Sequence, residues 1–199
     1  MVKIALKVSF LAENISRLSV CGPEFDWNLK LKCTQCNETD ENWHSINENE
    51  QIEGKKGHST CNFQMKCKFC SNFATLDVIK DSIKPIDIGE SGSVKDVTLV
   101  AFDCRGVEPV DFDPLNGWIG KNDESNSVFN DIDFTEESNA WVGFDEKTNN
   151  PVSIDEFSSK FFSCFLFIME GHHLEREVRK IIARMSHRSH RASGYRRGR

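Results

Sequence analysis

Four of the eight cysteines of this chain stand in two close pairs. The pairs are Cys33-Thr34-Gln35-Cys36 and Cys67-Lys68-Phe69-Cys70, with thirty residues between them. A C-x2-C turn bends the backbone so that both thiolates point at one ion, and two such turns complete a tetrahedron with metal–sulfur distances of about 2.3 Å. One such pair alone also serves redox chemistry. Two pairs, each at the end of a strand-like segment, specify a metal. Zinc is preferred over iron, because tetrathiolate sites in a reducing compartment usually hold it. Four thiolates fill the coordination shell and leave no position for water, which points to a structural ion rather than a catalytic one. Binding of this kind supplies folding free energy directly, on the order of 10–16 kcal/mol in small zinc peptides. One ion per chain is expected, on Cys33, Cys36, Cys67 and Cys70. Lys32, Lys66 and Lys68 flank the ligands and are expected to offset the charge of about −2 on such a centre.

The remaining cysteines, Cys21, Cys61, Cys104 and Cys164, are unpaired by spacing and read as small buried hydrophobes. Cys61, His44 and His58 fall in the insert between the pairs and are candidate spare ligands; solvated or packed side chains are the plainer reading. The carboxylate pairs Asp111/Asp113 and Asp145/Glu146 lie near turns, where solvation or local hydrogen-bond caps explain them better than acid–base catalysis. Arg105 suits an ion pair between lobes or a partner contact. Trp27, Trp43, Trp118 and Trp141 read as core or interface anchors. The sequence has no G-x-S-x-G, phosphate-binding loop or H-E-x-x-H.

The elements that must position the cysteines are strands. Ile4, Leu6, Val8 and Phe10 alternate with small or polar residues, the period of a half-buried strand. Trp27, Leu29 and Leu31 do the same and run straight into Cys33; Phe63 to Lys66 runs straight into Cys67. Glu38 to Thr60 is then a hairpin or loop between the two turns. Period-two patterning recurs from Phe73, stops at Pro85, and returns in Val97–Phe102, Ser127–Phe134 and Trp141–Phe144. Arg105 to Pro109 and Asn149-Asn150-Pro151 read as turns, and Glu90–Ser93 as a loop between lobes. Helical periodicity is weak before residue 156, so the body is mostly antiparallel β. A strand-end cysteine in each half, Leu29–Cys33 and Val100–Cys104, hints at an internal duplication.

Charge is uneven. Residues 171–199 hold nine Lys and Arg against two Glu, and the rest of the chain carries a net −13 within a total of −6. Glu170 to Met185 has one apolar side and reads as a short helix, followed by an Arg-, His- and Ser-rich disordered stretch. Such a tail can bind phosphates of nucleic acid or of an anionic membrane, but it has no aromatic stacking series and the body is acidic. His172, His173, His187 and His190 invite a metal reading that lacks an ordered scaffold. No apolar run reaches the length of about 18 residues needed for a membrane span; Phe161 to Met169 is the longest. Met1 to Leu11 has no secretory apolar core. A cytoplasmic location, extending to the nucleus, is expected, and a disulfide framework is disfavoured there.

Several segments, in order, resemble the CXXC-motif-containing zinc-binding protein family, a eukaryotic family of unknown function. They are Lys3–Leu6, Leu11–Ile15, Phe25–Cys33, Lys66–Cys70, Ile83–Pro85, Phe102–Phe112, and Asp145 onward to Phe161. The resemblance covers about residues 1–164. It implies an all-β fold of two similar antiparallel lobes related by an internal pseudo-twofold duplication, with zinc in the first lobe only and no known catalytic activity. It carries the ligand role to Cys33, Cys36, Cys67 and Cys70. The organisation expected is an N-terminal β lobe over 1–90 with the zinc site, a C-terminal β lobe over 91–164, and a basic extension over 165–199. The functional expectation is a monomeric, non-enzymatic zinc protein acting through a protein partner. Metal handling (zinc or copper) or thiol redox chemistry is the first alternative, and nucleic-acid binding through the tail the second.

Overall fold

The computed structural model describes residues 1–53, 60–135 and 139–163. The expected helix over Glu170–Met185, the basic tail, His58 and Cys164 lie outside them. Among the described residues the regular structure is strand, apart from one 3-10 turn at Lys80–Ser82. The first half contributes β1 (Val2–Glu13), β2 (Arg17–Val20), β3 (Asp26–Cys33), β4 (His44–Asn47), β5 (Ile52–Glu53), β6 (Thr60–Cys61), β7 (Phe63–Lys66), β8 (Phe73–Val78) and β9 (Ile86–Asp87). The second contributes β10 (Ser93–Arg105), β11 (Val107–Asp113), β12 (Trp118–Asn122), β13 (Ser127–Ile132), β14 (Trp141–Asp145) and β15 (Asn150–Ser163).

The halves interleave. The largest sheet has the order β14-β15-β1-β10-β8-β7, a second β11-β3-β4, a third β13-β12-β2-β9, and β5 and β6 form a small hairpin. At the centre β1 and β10 run antiparallel, with Leu6 opposite Val100 and Ile4 opposite Phe102. Exchange β1 with β10, β8 with β15 and β7 with β14, and the large sheet maps onto itself. The same exchange, with β2 for β11, β3 for β12 and β4 for β13, turns the second sheet into three strands of the third, β9 being the extra one. The chain is thus an internally duplicated, mostly antiparallel β protein with a pseudo-twofold axis. The second strand of each half pairs with the third strand of the other. β3 therefore has β12 as its counterpart, and the likeness of Leu29–Cys33 to Val100–Cys104 does not reflect the duplication. Residues Met1–Phe162 form one compact unit.

Alternation built the core as expected on the clean strands. Leu6, Val8 and Phe10 of β1, and Trp27, Leu29 and Leu31 of β3, are buried. Each such side chain stabilises by roughly 1.5–3 kcal/mol when removed from water. An aromatic cluster joins the halves: Trp27 packs edge-on to Phe25 and Phe102, and Trp118 packs edge-on to Phe25, Phe134 and Phe157. Trp118 Nε1 donates to the Pro114 carbonyl at 2.8 Å, which satisfies its one polar atom. Trp43 departs from the expected anchors; it is 39% exposed and stacks under the Lys30 ammonium. Cys61 and Cys104 are buried as expected, whereas Cys21 is exposed.

Three segments differ from the sequence expectation. Val107–Asp113 is strand β11 and not a turn: Pro109 is accommodated because the register with β3 slips between Pro109 and Asp111, and a bulge is where a strand tolerates proline. Trp118–Asn122, short and holding Gly120, is a strand paired on both sides, with β2 and β13. The turn near Asn150 ends two residues earlier, since Asn150 and Pro151 already pair with Asp145 and Phe144.

Candidate metal centre

Cys33 ends β3 and Cys67 follows directly on β7. After each, the chain turns over four residues and returns: Cys33 N–H donates to the Glu38 carbonyl and Cys67 N–H to the Asn72 carbonyl, both at 2.8 Å. Asn37 and Ser71 close the turns with φ of 62° and 59°, the left-handed conformation that asparagine tolerates best among side-chain-bearing residues. Each turn thus sets its two sulfurs on the same side.

The two turns meet. One sulfur from each of the four cysteines lies within 4.8 Å of all the others. Cys33 Sγ is 3.7 Å from Cys70 Sγ, and Cys36 Sγ is 3.6 Å from Cys67 Sγ. A tetrahedron with bonds of about 2.3 Å has sulfur–sulfur edges of about 3.8 Å, so spacing and donor chemistry both fit a zinc-sized ion. Cys33 and Cys67 are buried, Cys70 is half-buried and Cys36 exposed.

Backbone N–H groups converge on the sulfurs. Cys33 is held down to about 6, first by the Cys36 N–H and then, against its burial, by the Gln35 N–H and the Asn72 amide. Cys67 is lowered by the Cys70 and Phe69 N–H groups. Around Cys36 the Glu38 N–H favours the thiolate, but enclosure and the neighbouring thiols outweigh it and push that thiol to about 12. Cys70 is raised too, its Asn72 N–H outweighed by enclosure and by Cys33 and Cys67. Four thiolates at this separation would need a cation among them, and without one the neighbouring sulfurs keep Cys36 and Cys70 protonated.

Neighbouring groups fix the turns. Asn72 Nδ2 reaches Cys33 Sγ at 3.7 Å and the Gly106 carbonyl at 3.2 Å. Gly106 sits between β10 and β11 with φ of 72°; a Cβ there would lie 2.9 Å from Asn72 Nδ2 and 3.1 Å from the Phe73 carbonyl oxygen. Its carbonyl also accepts the Thr34 N–H at 3.2 Å. The flanking lysines are engaged elsewhere than expected. Lys68 reaches Asp40 at 3.1 Å, and Lys32 pairs with Glu108 across β3 and β11. Backbone dipoles, more than ammonium groups, face the sulfurs.

The other candidates stand apart. Cys61 is directed at the Ile52 carbonyl, 3.8 Å away, and is not in the four-sulfur cluster. His44 packs on Phe63, with its Nε2 3.6 Å from Asp40. Asp111 caps the adjacent Phe112 N–H at 3.0 Å. Asp145 caps the Lys147 N–H at 3.0 Å as expected of a turn carboxylate, but it is buried and also accepts two hydroxyls.

A chain whose described residues form antiparallel sheets and whose two strand-end turns bring four cysteines to one point belongs with thiolate-centred zinc proteins. It is a member of the family described as CXXC motif containing zinc binding protein, eukaryotic, whose profile matches residues 5–162. A Drosophila melanogaster relative, UPF0587 protein CG4646, is 40% identical over 162 residues, 81% of this chain and 97% of that protein. A Rattus norvegicus relative named CXXC motif containing zinc binding protein is 36% identical over 81% of this chain and 99% of its own. The crystal structure of C1orf123 superposes with a TM-score of 0.74 at 34% identity, over 81% of this chain and 99% of that one. A hypothetical protein from Plasmodium falciparum shares the fold, with a TM-score of 0.70 at 18% identity.

Proposed function

We propose that Cys33, Cys36, Cys67 and Cys70 together hold one zinc ion per chain as a structural element, and that the protein works without catalysis, by presenting the zinc-bearing face to a protein partner. The observation that carries this reading is the closed set of four sulfurs, all within 4.8 Å of one another, with two of the separations, 3.7 and 3.6 Å, at tetrahedral edge length. With all four engaged, an ion has no position left for water or substrate. Phe69, at the tip of the second turn, is 74% exposed. It borders a cleft of about 380 Å³ floored by Leu31 and Met65 and edged by Asp40 and Lys68, a contact surface that the ion would hold in shape.

Metal analysis of the purified full chain tests the first part: near one zinc per chain is expected, and a Cys67→Ser, Cys70→Ser variant should lose it along with cooperative unfolding. Absence of near-stoichiometric metal in the wild type sinks the reading. Affinity capture tests the second part, with Phe69→Ser expected to lose partners while keeping its zinc. The exposure of Cys36 favours one alternative, a metal-handling role. A folded protein that passes zinc rapidly to a chelator would support that role, whereas a structural ion leaves only as the fold melts.

A further inference from the structure

The duplication predicts where a second pair of knuckle turns must lie. The counterparts of β3 and β7 are β12 and β14, so the counterpart turns follow Asn122 and Asp145. Asn122 pairs with Ser127 across four residues, and Asp145 with Asn150 across four, the same length as Cys33 to Glu38 and Cys67 to Asn72. Asn126 and Asn149 close them with φ of 52° and 56°, matching Asn37 and Ser71. In register, Asn122 and Ser125 stand where Cys33 and Cys36 stand, and Asp145 and Thr148 stand where Cys67 and Cys70 stand.

The correspondence extends to hydrogen bonds. In all four turns the first side chain accepts the N–H two residues on: Cys33 from Gln35 and Cys67 from Phe69, Asn122 Oδ1 from Glu124 at 2.9 Å and Asp145 Oδ1 from Lys147 at 3.0 Å. The Cys36–Cys67 contact recurs as Ser125 Oγ donating to Asp145 Oδ2 at 2.5 Å. Ser127 Oγ adds a bond to Oδ1 at 2.8 Å. Lys147 Nζ reaches across to the Ser125 and Asn126 carbonyls at 3.3 and 2.8 Å. Asn122, Ser127 and Asp145 are buried polar residues. Thr148 Oγ1 is enclosed and makes no hydrogen bond of standard geometry.

We infer that these turns are a second copy of the metal-binding knuckle pair, in which the Asp145 carboxylate and its hydroxyl partners tie the two turns together in place of an ion, and that the frame accepts a metal once its four positions carry sulfur. The inference rests on reading the first centre as a metal site. A carboxylate buried among hydroxyl and N–H donors can hold two turns as an ion does, since charge-assisted hydrogen bonds are about twice as strong as neutral ones.

Two measurements on the full chain decide it. The variant Asn122→Cys, Ser125→Cys, Asp145→Cys, Thr148→Cys should bind one more zinc per chain than its parent, and take up one more cobalt(II) with thiolate absorption. The readout is the increment over the parent, so failure of the proposed zinc function, a parent without metal, and failure of this inference, no increment over a zinc-loaded parent, are read separately. A quadruple variant that folds without extra metal, or does not fold even when refolded with zinc, overturns it. In the second measurement, Asp145→Ala should speed amide exchange in the opposite turn, Asn122 to Ser127, by about tenfold or more, with the β1–β10 centre unchanged. Unaltered exchange in that turn overturns the tie assigned to Asp145.

Discussion

Gly106 meets two demands at once, a left-handed backbone and a gap for Asn72. Its carbonyl receives both Thr34 N–H and Asn72 Nδ2, so one residue braces both cysteine turns. Gly106→Ala should destabilise the fold by about 1–3 kcal/mol and weaken zinc retention, checked by denaturant unfolding and chelator competition on the same samples. Asp145 makes a pH prediction. Ser125 Oγ foremost, then Ser127 Oγ and the Lys147 N–H, hold its carboxyl at about 2 against its burial, below the value of about 3.9 for an unfolded chain. A group depressed in the folded state stabilises fully above the unfolded value and loses that contribution as pH falls through the folded one. Stability should therefore drop between about pH 4 and pH 2, and Asp145→Asn should flatten that limb in thermal melts across the range.

Among the elements, β3 has the most to hold. It pairs with β11 on one side and β4 on the other, buries Trp27, Leu29 and Leu31, and delivers Cys33. Trp27→Ala should cost about 3–5 kcal/mol, and zinc retention should fall with it, because the strand that places Cys33 loses its packing; urea unfolding with metal analysis checks both. β3 and β1 were legible from sequence because one face is buried and the other wet, and β7 because Phe63 and Met65 pack against the core from one side, which writes period two into the residues. β11 was not, because Gly106 and Pro109 punctuate it as a turn does, and only the bulge against β3 shows that the chain runs on. β12 and β15 were missed for related reasons: β12 is five residues long, and β15 is rich in serine and begins with Pro151 in its second place. The four cysteines were fully legible, since spacing alone carries them. Their counterparts were not, because Asn, Ser, Asp and Thr are ordinary turn residues; the signal was N-x2-S-N and D-x2-T-N at the spacing of C-x2-C-N and C-x2-C-S.

On the scale of the whole molecule, the strands alternate in ownership. β1 pairs with β10, β3 with β11, and β2 with β12, so each half finishes the sheets of the other. A fragment of residues 1–90 alone should lack a cooperative unfolding transition even with zinc, and mixing it with 91–163 should restore one, followed by calorimetry. The pairing across the axis is also that of an isologous dimer whose protomers trade their second strands and have been joined at the turn before β10. In a homodimer every substitution appears twice, so both knuckle pairs must keep sulfur or lose it together. Joined in one chain, the copies are free to part: one keeps four cysteines at its turns, and the other carries Asn122, Ser125, Asp145 and Thr148 in their places.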